Sequence, residues 1–254
     1  MERIWEFERH EAKYLVPSGD IPALIRAASP FCSADSYNSG DEGYPVHSLY
    51  LDSPSRFLNR AALRDDPDRV KLRVRSYGPT GPVRLEIKRK TGGIILKARA
   101  KVPSQYLEDA AHGWYVDDAH SPAERDALEL FAQYVNRVGL EPTLLVRYRR
   151  LAFVSTVNDY ARITIDSHLE YSPTSDWSLS NPYPWQPLIR RNSDATKLSG
   201  DYALVEIKCE QRIPFWLTEI VSRFEMNRTP FSKYSLSVAQ QEAWDRGNAE
   251  VAFV

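Results

Sequence analysis

Cysteine is nearly missing from this chain of 254 residues: there are two, Cys32 and Cys209, with no CxxC spacing and no histidine cluster beside either. That scarcity argues against a disulfide framework and a thiolate zinc site, and suits a reducing cytoplasm. The histidines at 10, 47, 112, 120 and 168 are scattered. His10 has the opposite strand parity from Arg9 and Glu11, so no histidine is placed as a phosphoryl acceptor. No apolar run approaches membrane-spanning length, and the opening MERIWEFERHEAKY has no apolar core of signal-peptide size. The expectation is therefore a soluble, cytoplasmic protein without a membrane span. Net charge is only −1, so any attraction for anions must come from where the charges stand. The dipeptide Gly92-Gly93 lies between two strand patterns, not between a strand and a helix, which makes it a hairpin turn and not a phosphate loop.

What is present is ordinary globular composition, 43% hydrophobic and 26% charged, in a chain long enough to bury a substantial core. Period-two alternation dominates and predicts half-buried antiparallel strands near Phe7–Val16, Val46–Leu51, Val70–Tyr77, Val83–Lys90, Ile94–Val102, Thr143–Phe153, Ala161–Leu169 and Ala203–Cys209. The turn signals Gly78-Pro79-Thr80-Gly81-Pro82 and Gly92-Gly93 make a meander of the third to fifth. Helices are expected at Pro122–Val138, with Ser121, Glu124 and Gly139 as its start and stop signals, and at Phe215–Met226, Ile21–Ala28 and Leu236–Arg246. The aperiodic stretch Tyr171–Tyr202 is long for a loop and reads as a lid or excursion. Its Trp177 and Trp185 read as anchors packed on the domain. No linker divides the chain, so 1–254 is expected to be one domain.

Arg69-Val70-Lys71-Leu72-Arg73-Val74-Arg75 carries the strongest signal. In a strand it has one cationic and one apolar face. Neighbouring cations on that face, roughly 7 Å apart, repel by about 2.4 kcal/mol at an effective dielectric of 20. The pattern recurs in segments 9–13, 84–90, 97–101, 147–150, 162–166 and 205–208. Together the seven segments hold eighteen of the 33 Lys and Arg residues, against the four acids Glu11, Glu86, Asp166 and Glu206. One such face could simply be solvated, but surface strands usually mix signs because like cross-strand pairs destabilise. If amphipathic helices cover the apolar faces, the charged faces look inward. The expected fold is then α+β, an antiparallel β-barrel with a cationic lumen and helices packed outside. Such a lumen suits a thin polyanion. Duplex nucleic acid is too wide, and the aromatic platforms of single-strand binders are missing from the basic strands. The four acids serve either as ion-pair partners or as ligands for Mn²⁺ or Mg²⁺ on phosphates, with Glu206 the first choice and Glu86 and Glu11 beside it.

The ordered set Glu11-Ala-Lys13-Tyr14, Lys71-Leu-Arg73-Val-Arg75, Leu85-Glu86-Ile-Lys88, Lys97-Ala-Arg99, Arg147-Tyr148-Arg-Arg150-Leu-Ala-Phe153, Arg162-Ile-Thr-Ile-Asp166, Val205-Glu206-Ile-Lys208 and Phe231-Ser232-Lys233-Tyr234 resembles the VTC (vacuolar transporter chaperone) domain, the polyphosphate polymerase branch of the triphosphate tunnel metalloenzyme (CYTH-like) superfamily. The resemblance implies a tunnel that moves the terminal phosphate of ATP onto inorganic polyphosphate with Mn²⁺ or a similar ion. It implies catalytic roles for Lys13, Arg73, Arg75, Lys88 and Glu206. Phosphate contacts would come from Lys97, Tyr148, Arg150, Arg162, Lys208, Ser232 and Lys233. Hydrolases and cyclases of the superfamily begin with Glu-x-Glu-x-Lys; here Arg9, Glu11 and Lys13 stand at those positions, which points to the polymerase. Pro230 occupies a place where the polymerase segment can carry a further Lys. A metal-dependent triphosphatase and a non-catalytic polyphosphate-binding module remain the alternatives, and a membrane-protein or regulatory partner stays open. Arg69 and Lys71 are left as candidates for the tunnel rim.

Overall fold

The computed structural model describes residues 6–7, 10–38, 40–78, 81–157, 160–180, 182–188, 202–210 and 213–252. Arg9, the middle of the 78–82 turn and residues 189–201 of the long excursion lie outside them. In chain order the elements are β1 (Glu6–Phe7), β2 (His10–Pro17), α1 (Ile21–Ala28), β3 (Cys32–Ala34), β4 (Tyr44–Asp52), α2 (Phe57–Leu63), β5 (Arg69–Tyr77), β6 (Val83–Thr91), β7 (Ile94–Val102), α3 (Leu107–His112) and α4 (Pro122–Val138). After these come β8 (Glu141–Ser155), β9 (Ala161–Pro173), β10 (Gln186–Pro187), β11 (Tyr202–Cys209), α5 (Phe215–Arg223) and α6 (Lys233–Ala252).

The strands form a single eleven-stranded sheet whose main path runs β1-β7-β6-β5-β4-β8-β9-β11-β2, with β3 and β10 attached at its side. Every pairing is antiparallel. The fold is α+β, as the alternation predicts. Among the described residues, however, the hydrogen-bonded path is not a closed ring. Its two ends, β1 and β2, are successive pieces of the N-terminal segment, so the chain itself links the two edges where a continuous ladder was expected. The sheet is nonetheless curled: Glu11 of β2 comes within 3.8 Å of Lys88 on β6, six places away along the path.

Local sequence explains the pieces that shape this curl. Thr91 pairs with Ile94 across Gly92-Gly93, and both glycines have positive φ (55° and 83°), the backbone a two-residue hairpin of this type demands. At α4 the Ser121 hydroxyl accepts the Glu124 N–H while the Glu124 carboxylate takes the Ser121 N–H, the complete capping box, and Gly139 ends the helix in the left-handed region. Gly43, at φ +67°, lies so close to β8 that a Cβ would stand 2.1 Å from the Arg150 carbonyl oxygen. Only glycine lets β4 enter the sheet at that point.

Packing assigns the two faces. Leu72, Val74, Leu85, Ile87, Ala98 and Ala100 of the β5–β7 meander are buried beneath α3 and α4 with Leu107, Ala127 and Phe131. On the opposite wall Val16, Ile163, Ile165, Val205 and Ile207 are buried with Leu24 of α1 and Trp216, Leu217 and Ile220 of α5. Burial of each large aliphatic or aromatic side chain contributes about 1.5–3 kcal/mol, and these layers force the alternate, charged residues to the inner face. α6 departs from the expectation of external helices. Its Tyr234 and Val238 pack with Tyr50, Leu144, Val146, Tyr148 and Tyr171, which share the inner face with the cations, so α6 fills one end of the lumen. Trp177 and Trp185 pack against the meander cluster as anchors. Both cysteines are free and buried.

A cationic lumen closed at one end by a helix

The inner face of the meander is a grid set by register. Lys71, Lys88 and Lys97 stand in one row, Arg73, Glu86 and Arg99 in the next, and Arg75, Arg84 and Lys101 in the third. Three lysines directly in line is the arrangement that cross-strand pairing ordinarily avoids. In the second row Glu86 is claimed by two arginines, at 2.5 Å from Arg73 Nε and 3.9 Å from Arg75 Nη1. Burial opposes its ionisation, but Arg73 and Arg75 outweigh that and hold its pKa at about 2.

The facing wall is a checkerboard. Lys13 pairs in register with Glu206, and Glu11 with Lys208. Lys13 Nζ lies 3.3 Å from Glu11 and 3.8 Å from Glu206; Lys208 Nζ lies 3.4 Å from Glu206 and 3.9 Å from Glu11. Glu206 is 6% exposed. Burial raises its pKa, yet Lys233, Lys208, Lys13 and Arg150 together drive it well below the usual carboxylate range. Glu11 is likewise held far below normal, by Lys208, Lys13 and Lys88 against its own burial.

α6 enters between these walls. Ser232 precedes it and accepts the Ser235 N–H, and Lys233 at its first position reaches Asp166 at 2.7 Å and Glu206 at 3.3 Å. Asp166 is fully buried and also takes both arms of Arg150, at 2.6 and 2.8 Å. The Tyr148 ring lies under Lys233 (4.7 Å) and Arg150 (5.2 Å). Lys13 donates to the Phe231 carbonyl, and Tyr234 stacks on Tyr50 and donates to Asp52 at 2.8 Å. The positive end of the helix thus faces the lumen and adds to its affinity for anions.

Nearly all the sequence-derived residues meet here: Lys13, Arg73, Arg75, Lys88, Lys97, Tyr148, Arg150, Lys208, Ser232, Lys233, Glu11, Glu86 and Glu206 all lie on the inner face or at the head of α6. Arg162 shares the row of Lys208, but its guanidinium is drawn to Asp35 at 2.8 Å, and its buried Nε has no partner among the described residues. The three carboxylates expected to hold metal do not converge. Glu11 and Glu206 are neighbours across two lysines, whereas Glu86 is taken by Arg73 and Arg75, and among the described residues no group of three His, Cys, Asp or Glu side chains could hold an ion. Some of the eighteen cations also face outward: Arg147 pairs with Glu170 under Trp185, Arg149 with Glu42, and Arg89 with Asp68.

Two inner residues escaped the sequence reading. Asp166, one of the four acids open to an ion-pair role but assigned no site of its own, anchors Arg150 and Lys233. Lys71, assigned to the rim, sits within the lumen and donates to Ser232 Oγ at 3.3 Å. The net field is legible in neutral groups as well: Tyr50 is fully enclosed, yet Arg73, Arg75 and Lys233 overcome burial and pull its pKa below the usual phenol value.

A chain-wide comparison decides the family. The VTC domain model matches residues 8–241, almost the whole chain. The chain belongs to the VTC domain family. One solved structure shares its fold at low sequence identity. A candidate adenylate cyclase from Bacillus halodurans superposes with a TM-score of 0.52 at 13% identity, over 91% of this VTC chain and 96% of its own. A Hippeastrum protein, described as a candidate adenylyl cyclase with a dominant triphosphatase activity, gives 0.48 at 14% identity over 91% and 95%. A Pyrococcus horikoshii protein gives 0.45 at 10% over 92% and 98%. No curated protein matches the sequence. Among the described residues no helix of this VTC domain is long and apolar enough to cross a membrane.

Proposed function

We propose that this VTC domain, taken as one functional unit over residues 1–254, is a metal-dependent ATP:polyphosphate phosphotransferase. The observation that carries the reading is the row Lys71–Lys88–Lys97, with Lys13 and the head of α6 across from it. Like charges in register repel one another, and a thin, multiply charged anion between these walls would relieve that repulsion. A phosphate chain fits because it presents anionic oxygens along its whole length and asks for no aromatic platform. With ATP as donor, the expected setting is the cytoplasm.

In this reading Lys13, Arg73, Arg75 and Lys88 clamp the triphosphate of ATP. Lys97, Arg150, Arg162, Lys208, Ser232 and Lys233, over the face of Tyr148, hold the growing chain. A terminal oxygen of the chain attacks the γ-phosphorus; the new P–O–P bond forms as the bond between γ-phosphorus and the β,γ-bridging oxygen breaks, and ADP leaves with that oxygen. Phosphoryl transfer needs positioning and charge stabilisation more than covalent chemistry, and these fixed cations supply both without reorganising during the step. The carboxylate donor set suits a hard divalent ion such as Mn²⁺ or Mg²⁺, which takes one or two protein carboxylates and completes its shell with phosphate oxygens and water. Glu206 and Glu11 would hold it, and it would neutralise phosphate charge there. Glu86 serves as the counter-ion of Arg73 and Arg75.

Incubation of the purified protein with ATP and Mn²⁺ tests this, with ADP and chain-length-resolved polyphosphate both measured. The expected result is long chains whose phosphate content equals the ADP formed. Free phosphate alone would replace the transferase by a hydrolase, and tight polyphosphate binding without turnover would leave a binding module.

A further inference from the structure

Among the described residues no carboxylate pairs with Lys71. Lys88 faces it in register from β6, Lys13 faces it from β2, and Arg69 and Arg73 flank it on β5. Glu11, which pairs with two of these neighbouring lysines, is engaged by Lys13, Lys88 and Lys208. Among the described residues, the polar partner of Lys71 Nζ is the hydroxyl of Ser232 at the head of α6, 3.3 Å away. Burial, and then the charges of Lys13, Lys88, Arg69 and Arg73, push the Lys71 pKa down to about 8. In the empty tunnel a sizeable fraction of Lys71 is therefore neutral at mildly alkaline pH.

The hydroxyl inventory turns this into a switch. A serine has one hydrogen to donate and two lone pairs to accept with. When Lys71 is an ammonium, Ser232 Oγ accepts from Nζ and from the Ser235 N–H, and its own hydrogen needs an acceptor. When Lys71 is a neutral amine, the Nζ lone pair is that acceptor. An anionic oxygen placed beside both groups selects the first arrangement, since it accepts from the ammonium and from the hydroxyl together.

We propose that Lys71 and Ser232 form a phosphate subsite that takes up a proton at alkaline pH as it binds a phosphate chain. The proposal rests on the reading of the lumen as a phosphate tunnel. The proton comes from solvent and ends on Lys71 Nζ, so no bond within the chain is made or broken. Affinity should then weaken as pH rises above about 8, because the proton must be captured from a scarcer supply.

Calorimetric titration of the whole protein with tripolyphosphate at pH 9, in two buffers of different ionisation enthalpy, gives the protons exchanged. The expected uptake is about 0.9 proton per tripolyphosphate, from the neutral fraction of a group titrating near 8. Any residual proton on tripolyphosphate itself would be released in a cationic site, which has the opposite sign. In Lys71→Arg, whose guanidinium never deprotonates in this range, binding should persist with uptake near zero; Lys71→Gln, which cannot gain a proton, should show the same null if the arginine fits poorly. Undiminished uptake in both variants, or none in the wild type, would overturn the proposal while leaving the tunnel reading intact. No binding heat at all from the wild type would overturn both.

Discussion

Replacing Asp166 by asparagine is expected to destabilise the protein by about 3–5 kcal/mol, the cost of leaving buried charges uncompensated. The carboxylate is fully buried and accepts from both arms of Arg150 and from Lys233. An amide of the same shape offers one oxygen where two stood and removes the only full negative charge touching the Arg150 guanidinium in the described residues. For a chain of this size the melting temperature should fall by roughly 6–20 °C. Tripolyphosphate should recover part of the loss, because its oxygens can take up the released guanidinium and ammonium. A melting temperature within a degree or two of the wild type would show that Asp166 is not the keystone of this end of the lumen.

The second large effect is expected at Glu206, and it should separate binding from turnover. Glu206→Gln keeps the side-chain volume, removes a carboxylate held firmly ionised by Lys233, Lys208 and Lys13, and deletes the first-choice metal oxygen. Turnover of ATP into polyphosphate should fall by about 10²–10³-fold, as when a charge-stabilising group is lost from a transfer site. Tripolyphosphate affinity should stay the same or rise, since one negative charge has left a lumen built for anions. Glu86→Gln, which frees Arg73 and Arg75, should change turnover far less. Product formation by Glu206→Gln within tenfold of wild type, measured with initial rates over a range of ATP and Mn²⁺, would remove Glu206 from the metal role.

Much of this was readable beforehand because the signals are local. Strict alternation over Arg69–Arg75, the Gly92-Gly93 turn and the Ser121–Glu124 capping box each act within a few residues, and β5, β6, β7 and α4 fall where those signals put them. The inward turn of the cations followed from a simple constraint: helices cover apolar faces, so charged faces look the other way. What alternation could not show is where it breaks. His168, at φ +51°, lies where the β8–β9 register shifts. Parity flips there, bringing Tyr171 to the inner face and sending Glu170 outward to Arg147.

Long-range placement was equally hidden. Ser232 lies 161 residues from Lys71 in the chain, and Lys233 meets Asp166 only because α6 enters the lumen. A rim position for Lys71 was the reasonable reading of a strand seen without that helix. The choice between an ion-pair and a metal role for Glu86 was hidden for a related reason. The in-register partner of Glu86 depends on the length of the turn between β5 and β6, and that register delivers Arg73 to its side.

If the lumen is an ordered site for a phosphate chain, ligand-dependent melting will show it. A ligand bound only by the folded state adds about 2.7 kcal/mol at a hundredfold excess over Kd, or roughly 5–10 °C for a chain of this length. At matched ionic strength, tripolyphosphate should raise the melting temperature by that amount and sulfate by little, with the difference lost in the double variant Arg73→Met, Arg75→Met. Equal shifts from the two anions, or a tripolyphosphate shift that survives in the double variant, would contradict the account.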